Sequence, residues 1–107
     1  MIYENLFIKA DEKEVRRVLV DYAKKNNLVI EEGYGGNVVT FKPSGRRLLI
    51  FSYPKDMYYF NVIFLHPEYD VLHIIFRIRE SEYEIGYKLY LELRNRFISI
   101  DEKSSRA

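Results

Sequence analysis

Residues capable of chemistry are few in this 107-residue chain, and their spacing does not form a catalytic or metal site. There is no cysteine, which excludes disulfides, zinc–thiolate sites and cysteine nucleophiles. The two histidines, His66 and His73, should point to opposite faces of a predicted hairpin, so they cannot act as a pair. No serine lies in a Gly-x-Ser-x-Gly sequence, and no aspartate-rich loop offers calcium ligands. We therefore expect a protein that is not an enzyme, with no catalytic residue, metal site or cofactor.

His73 is nevertheless the best candidate for contact with a small ligand. The predicted strand pairing places it near Asn61 and Tyr59, where an imidazole could act as a base or hydrogen-bonding group. No carboxylate or second imidazole is placed to orient it, as a catalytic site requires. His73 and Asn61 are accordingly predicted only as ligand-contacting residues, and a purely structural histidine is the alternative.

The glycine-rich segment 33–37 superficially resembles a phosphate-binding loop. It lacks the lysine and the following helix of a P-loop, and it does not match Gly-x-Gly-x-x-Gly. We therefore predict that it is a hairpin turn.

A basic segment within residues 42–55 is the clearest concentration of charge. No acidic residue lies between positions 33 and 55, and aromatic residues are interleaved with the cations. Proteins that bind single-stranded nucleic acid combine cations, which contact the phosphates, with aromatic rings, which stack on the bases. The candidate nucleic-acid-binding residues are Lys42, Arg46, Arg47, Lys55, Phe51, Tyr53, Tyr59, Arg77 and Arg79. The alternative is a solvated hairpin tip with cation–π pairs inside the sheet.

Length and composition indicate one domain, over residues 1–100, followed by a frayed tail at 101–107. The 17 basic and 16 acidic residues leave a net charge of +1, so the chain as a whole is not a polyanion binder. No membrane-length apolar run or signal-peptide pattern is present, so we expect a cytoplasmic protein without a membrane partner. Many charges without Trp, Cys or Gln fit a thermophilic archaeon or its virus.

Hydrophobic periodicity predicts the element order β-α-β5-α. Residues 2–9 alternate as a strand, and Asp11 with Glu14 resembles a capping box in front of a first helix. The sequence Ser81-Glu82-Tyr83-Glu84 is a capping box that predicts a second helix over 82–97. Between the helices, turn signals with proline or glycine separate five β-rich runs: 28–33, 37–42, 46–53, 57–66 and 70–79.

The short connections between these runs permit only antiparallel neighbours. We therefore predict an α+β fold with a single antiparallel meander sheet of about six strands and two helices packed on one face. The order of elements resembles helix-grip and TATA-binding-protein-like architectures in topology only. No sequence motif of those families is present, so no function follows from the resemblance. A ferredoxin-like βαββαβ order is the alternative.

Strand alternation divides the strand residues into two sets that face opposite sides of the sheet. The predicted pairing places position 64 opposite 72 and position 61 between 75 and 49. The even-numbered set is the predicted core, beneath Val15, Val18, Leu19, Leu89 and Leu93, and comprises Leu48, Ile50, Phe60, Val62, Phe64, Leu72, Ile74, Phe76 and Ile78. The odd-numbered set mixes apolar and polar residues, namely Leu49, Phe51, Tyr53, Tyr59, Ile63, Val71, Ile75, Arg47, Asn61, His73, Arg77 and Arg79.

This second face and a second stripe on the C-terminal helix carry more apolar surface than one small core needs. The candidate partner interface comprises Leu49, Ile63, Ile75, Tyr87, Leu91 and Ile98. Our first interpretation is a non-catalytic interaction module that forms a homodimer or binds another protein. The alternatives are a nucleic-acid-binding protein using the basic-aromatic hairpin, or a helix-grip protein that holds a small apolar ligand. A sheet that curls and buries its own second face would need no partner.

Overall fold

The computed structural model describes residues 1–44, 58–68 and 70–100, with Glu68 described by its backbone alone. The predicted strand 46–53 and the predicted tail 101–107 lie outside the described residues. The elements are β1 (Ile2–Lys9), α1 (Glu12–Lys25), β2 (Leu28–Gly33), β3 (Val38–Pro43), β4 (Phe60–Glu68), β5 (Val71–Ile78), α2 (Tyr83–Arg96) and β6 (Ile98–Ser99). Short 3-10 turns occupy Tyr34–Gly36 and Glu80–Glu82.

All described strands form one antiparallel sheet in the order β2-β3-β4-β5-β1-β6. Strands β2 to β5 pair in chain order, and this confirms the predicted α+β class with a single antiparallel sheet. The glycine-rich segment forms the β2–β3 turn, where Gly35 and Gly36 have φ of 66° and 90°, values that favour glycine. Strand β1 lies beside β5, so α1 carries the chain across one face to the far edge at β2.

Both helices pack on the same face of the sheet, over the even-numbered residues of β1, β4 and β5 and the odd-numbered residues of β3. All described members of the predicted core are buried, and they form one cluster with the apolar stripes of α1 and α2. Phe41 and Phe60 stack at its centre with ring centroids 4.4 Å apart. On α2, Gly86 permits close approach to the sheet, because a Cβ there would lie 2.9 Å from Ile78 Cδ1. The prediction of which face holds the core is therefore confirmed for the described strands.

The predicted strand register is wrong by two residues. Phe64 lies opposite Ile74, not Leu72, because β4 continues through Pro67 and the turn falls later than the proline signal indicated. A shift of two preserves which face each side chain occupies. Asn61 lies between Thr40 and Arg77, so its predicted pairing with position 49 is also wrong: β3 occupies that edge of β4.

The helix ends agree with the sequence at α1 and differ at α2. The Asp11 carboxylate accepts a hydrogen bond from the Lys13 N–H at 3.2 Å and caps α1. Ser81 instead lies in the 3-10 turn before α2, whose first turn has no side-chain cap, so the predicted capping box is wrong. Because α2 ends at Arg96, Ile98 belongs to β6 and not to a helix stripe.

Tyr22 joins the two helices. Its hydroxyl donates a hydrogen bond of 2.6 Å to the Ile85 carbonyl of α2. Burial, and secondarily the negative charge of Glu92, raises the pKa of Tyr22 to about 12. The folded protein therefore holds this proton more tightly than the unfolded chain, in which a tyrosine ionises near pH 10.

We predict that Tyr22→Phe lowers the free energy of unfolding at pH 7 by about 1 kcal/mol, because the hydrogen bond to Ile85 is lost. Because the folded pKa is the higher one, the contribution of Tyr22 ionisation is complete below pH 10 and disappears as the pH rises towards 12. The stability of the wild type should thus fall more steeply than that of the variant between pH 10 and 12, measured by denaturant unfolding. Tyr34→Phe, at a side chain 86% exposed, is the control and should match the wild type. Equal pH dependence in Tyr22→Phe and wild type would contradict the assignment.

Candidate functional site on the open sheet face

The face of the sheet opposite the helices, here called the open face, carries the odd-numbered residues of β1, β4 and β5 and the even-numbered residues of β3. Cross-strand pairing places these side chains in rows. One row contains Thr40, Asn61, Arg77 and Tyr3 from β3, β4, β5 and β1 in turn. No described helix covers these rows, because α1 and α2 both pack on the other face.

Arg77 is the anomaly of this row. Its Nε is buried and has no hydrogen-bond partner, and no carboxylate of the described residues lies within ion-pair distance. Asn61, 6% exposed, flanks it on one side and donates to Thr40 Oγ1 at 2.9 Å. A desolvated donor on a charged group costs free energy unless an acceptor meets it. The Arg77 Nε–H therefore lacks an acceptor, and a bound anion would supply one.

Arg16, on the helix-covered side, differs from Arg77 because its guanidinium has ion-pair and hydrogen-bond partners. It contacts Glu12 at 2.7 Å and Glu32 at 3.2 Å, and it donates to the Gly36 carbonyl. Its Cζ stands 4.5 Å from the Phe64 ring centroid. This cluster fastens α1 to β2 and β4 with its charges paired, so it calls for no ligand.

The cations of the open face concentrate at one end. Lys42 pairs with Glu31 at 2.8 Å, and Tyr59 lies beside the end of β5, where its carbonyl accepts a hydrogen bond from Arg79 N–H. The Arg79 Cζ is 5.6 Å from the Tyr58 ring centroid. We call Tyr3, Lys42, Tyr59, Arg77 and Arg79 the cationic end of the open face.

The opposite end of the open face is apolar. Leu65 is 44% exposed, and Ile98, on β6, is 71% exposed. Phe7 stacks on His73 with centroids 4.0 Å apart and planes 15° from parallel. The His73 Nε2 lies 2.8 Å from Asn5 Oδ1. We call Phe7, Leu65, Val71 and Ile98 the apolar end of the open face.

The structure brings together only part of the predicted nucleic-acid set. Lys42, Tyr59, Arg77 and Arg79 meet at the cationic end, whereas the other five members lie outside the described residues: Arg46, Arg47, Phe51, Tyr53 and Lys55. Tyr3 was missed. The alternation of β1 shows that Tyr3 avoids the core, but no local pattern shows that β1 pairs with β5.

The predicted partner and ligand residues are scattered. Ile63 and Ile75 are half-buried neighbours at the middle of the open face, and Leu49 lies outside the described residues. Tyr87 and Leu91 are half-buried on α2.

His73 and Asn61 share the open face but not a row, since Leu65 lies opposite His73. The two histidines do face opposite sides, since His66 Nε2 lies 3.0 Å from Glu12 Oε1 on α1.

An aromatic stack covers one side of α2. Tyr87 lies between Tyr83 and Tyr90, with centroid distances of 5.2 and 5.3 Å. The Tyr83 hydroxyl donates to Glu4 Oε2 at 2.7 Å, and this hydrogen bond is the main cause that raises the pKa of Tyr83 to about 12. Tyr87 is thus engaged within the chain.

A cavity of about 260 Å³ opens between β1 and α2, and neither histidine lines it. It is lined by Asn5, Leu6, Phe7, Tyr90, Arg94, Ser99 and Ile100. The described residues contain no cluster of three or more His, Asp or Glu side chains able to hold a metal ion. Neither described helix is long and apolar enough to cross a membrane.

Comparison with models of known protein families gives no match, and comparison with curated proteins gives none.

We predict that Arg77→Met raises the free energy of unfolding by about 1 kcal/mol, because an unsatisfied buried donor is replaced by an apolar chain of similar length. The measurement is denaturant unfolding at neutral pH. The matched control is Arg17→Met, at an exposed position of α1, which should change stability by less than about 0.5 kcal/mol. A loss of stability in Arg77→Met that exceeds the change in the control would show that Arg77 is already satisfied.

Proposed function

We propose that this protein is a non-catalytic module that binds an extended single strand of nucleic acid across the open face of its sheet. The observation that carries the proposal is Arg77, a half-buried guanidinium with an unsatisfied Nε. A phosphate oxygen is an acceptor and an anion at once, and it would satisfy both requirements of this group.

Aromatic rings beside this cation favour nucleic acid over other polyanions. Tyr3, 56% exposed, lies directly opposite Arg77 across the β1–β5 pair. An exposed ring next to a guanidinium can stack on a base while the guanidinium contacts the adjoining phosphate. Base stacking requires unpaired bases, so the expected ligand is a single strand and not a duplex.

Charge at the cationic end supports the same ligand. Lys42 is balanced by Glu31, whereas neither Arg77 nor Arg79 forms an ion pair among the described residues. The positive charge is thus local, although the whole chain carries only +1. Two copies facing each other through this end would repel, which disfavours a homodimer there.

The proposal is tested by fluorescence anisotropy of labelled twelve-nucleotide thymidylate and uridylate strands at low salt. We expect Arg77→Gln to weaken binding about tenfold, and to reduce the slope of log affinity against log salt by about one. Tyr3→Ala should weaken binding by about tenfold without changing that slope, because a ring and not a charge is removed. Arg17→Gln removes the same charge from an exposed site on the helix side and should have little effect.

Two outcomes would contradict the proposal. The first is absence of binding to either strand at low salt. The second is an equal loss of affinity in Arg77→Gln and Arg17→Gln, which would indicate diffuse attraction and no site on the open face.

The apolar end supports a second candidate function, self-association of two copies. Leu65 on β4 and Ile98 on the edge strand β6 are both large and exposed at this end of the open face. Beside them, Lys9 and Asp70 lie 4.0 Å apart and are mostly exposed. A two-fold contact could exchange this pair, so that Lys9 of each copy meets the carboxylate of the other. This end is therefore complementary to itself in both charge and apolar surface.

We predict that light scattering of the wild type at high concentration shows a dimer and that Ile98→Asp shifts it to monomer. The change places a charge within the apolar contact. Val20→Asp is the control, because Val20 is exposed to 43% on α1 and should leave the dimer intact. A wild type that is monomeric at every concentration would rule out this second candidate.

A further inference from the structure

We infer a second binding site where the outer edge of β1 meets α2, and that it binds an extended peptide segment carrying a carboxylate. The site is separate from the open face. It is formed by a strand edge, the cavity beside that edge, and Arg94 on α2. The proposed function neither requires nor predicts it.

Among the described residues, no strand pairs with most of the outer edge of β1. Strand β1 pairs with β5 from Ile2 to Lys9, but the only described strand on its other side, β6, pairs with it only at Ile8 and Lys9. The Ile100 N–H donates to the Phe7 carbonyl at 2.6 Å, so the backbone groups of Phe7 face outward. Because every second residue of a strand presents its N–H and C=O to the same edge, Tyr3 and Asn5 offer theirs there.

The cavity lies next to this edge. Leu6 and Phe7 line one side, Tyr90 and Arg94 of α2 line the other, and Ser99 and Ile100 close it towards β6. A groove between a strand edge and a helix suits an added peptide strand, whose backbone pairs with the edge while alternate side chains enter the groove. Chain continuity with β6 shows that an extended backbone already fits at one end of the edge.

Arg94 gives the site its charge preference. It makes no ion pair with the described residues, whereas Arg96 in the same turn pairs with Glu92 at 3.3 Å. Arg94 stands beside Tyr90: burial raises the pKa of Tyr90, while the guanidinium of Arg94 lowers it. A guanidinium that forms no ion pair among the described residues, at the wall of the groove, is complementary to a carboxylate, with which it can form two parallel hydrogen bonds.

The test is a titration of the full chain, followed by ¹H–¹⁵N NMR, with synthetic blocked hexapeptides of alternating valine and threonine. Aspartate replaces the second or the fifth residue, so that either strand direction brings a carboxylate to Arg94, and asparagine versions are the matched controls. We expect amide shifts at Tyr3 and Asn5, and affinity at least fivefold higher for an aspartate peptide than for its asparagine control. Arg94→Gln should remove that difference, and Arg96→Gln should keep it.

Other outcomes would overturn the inference. Shifts confined to β2, the other edge of the sheet, would place the peptide elsewhere. Equal affinity for aspartate and asparagine peptides, or no binding, would remove the carboxylate preference or the site itself. Binding that appears only after deletion of residues 101–107 would identify the chain's own C-terminal residues as the occupant. Oligonucleotide affinity of Arg94→Gln should equal that of the wild type, so this test fails or succeeds separately from the proposed function.

Discussion

Placement of both helices on one face of the sheet is the constraint on which the rest of the structure depends. The chain crosses that face twice, through α1 and α2, and the core beneath them is formed by the even-numbered residues of β1, β4 and β5 with Val39 and Phe41 of β3. Strand alternation then places the odd-numbered residues of β1, β4 and β5 on the open face. Arg16 on the covered side forms ion pairs with Glu12 and Glu32, whereas Arg77 on the open side has a buried Nε without a hydrogen-bond partner.

That asymmetry links the architecture to the proposed function. A sequence free to optimise stability alone would replace Arg77 with an apolar residue, because an unsatisfied donor lowers stability. Retaining it next to Asn61 and Tyr3 is reasonable if a ligand supplies the missing acceptor. The two ends of the open face differ in chemistry: cations and the exposed Tyr3 lie at one end, and exposed aliphatic residues lie at the other.

The sequence was sufficient to predict what depends on local periodicity. A spacing of two residues predicts the even-numbered core of β4 and β5. Spacings of three to four residues predict the apolar stripe of α1 and, through Asp11 and Glu14, the cap in front of it. The register error did not alter the assignment of faces, because it was a shift of two. The sequence could not predict which distant strands pair. The position of Tyr3 beside Arg77 depends on the pairing of β1 with β5, and β6 has only two residues, which is too short to show a pattern.

The most direct test of the account is the Arg77 Nε–H signal in ¹H–¹⁵N spectra of the full chain titrated with a thymidylate dodecamer. In the free protein this donor has no acceptor, so binding should move its resonance downfield as a phosphate hydrogen bond forms. Amides of Tyr3, Asn61 and Ile75 should shift with it, while those of Val15 and Leu89 beneath the helices stay in place. An unchanged Arg77 signal at saturation, or shifts confined to the helix-covered face, would contradict the account.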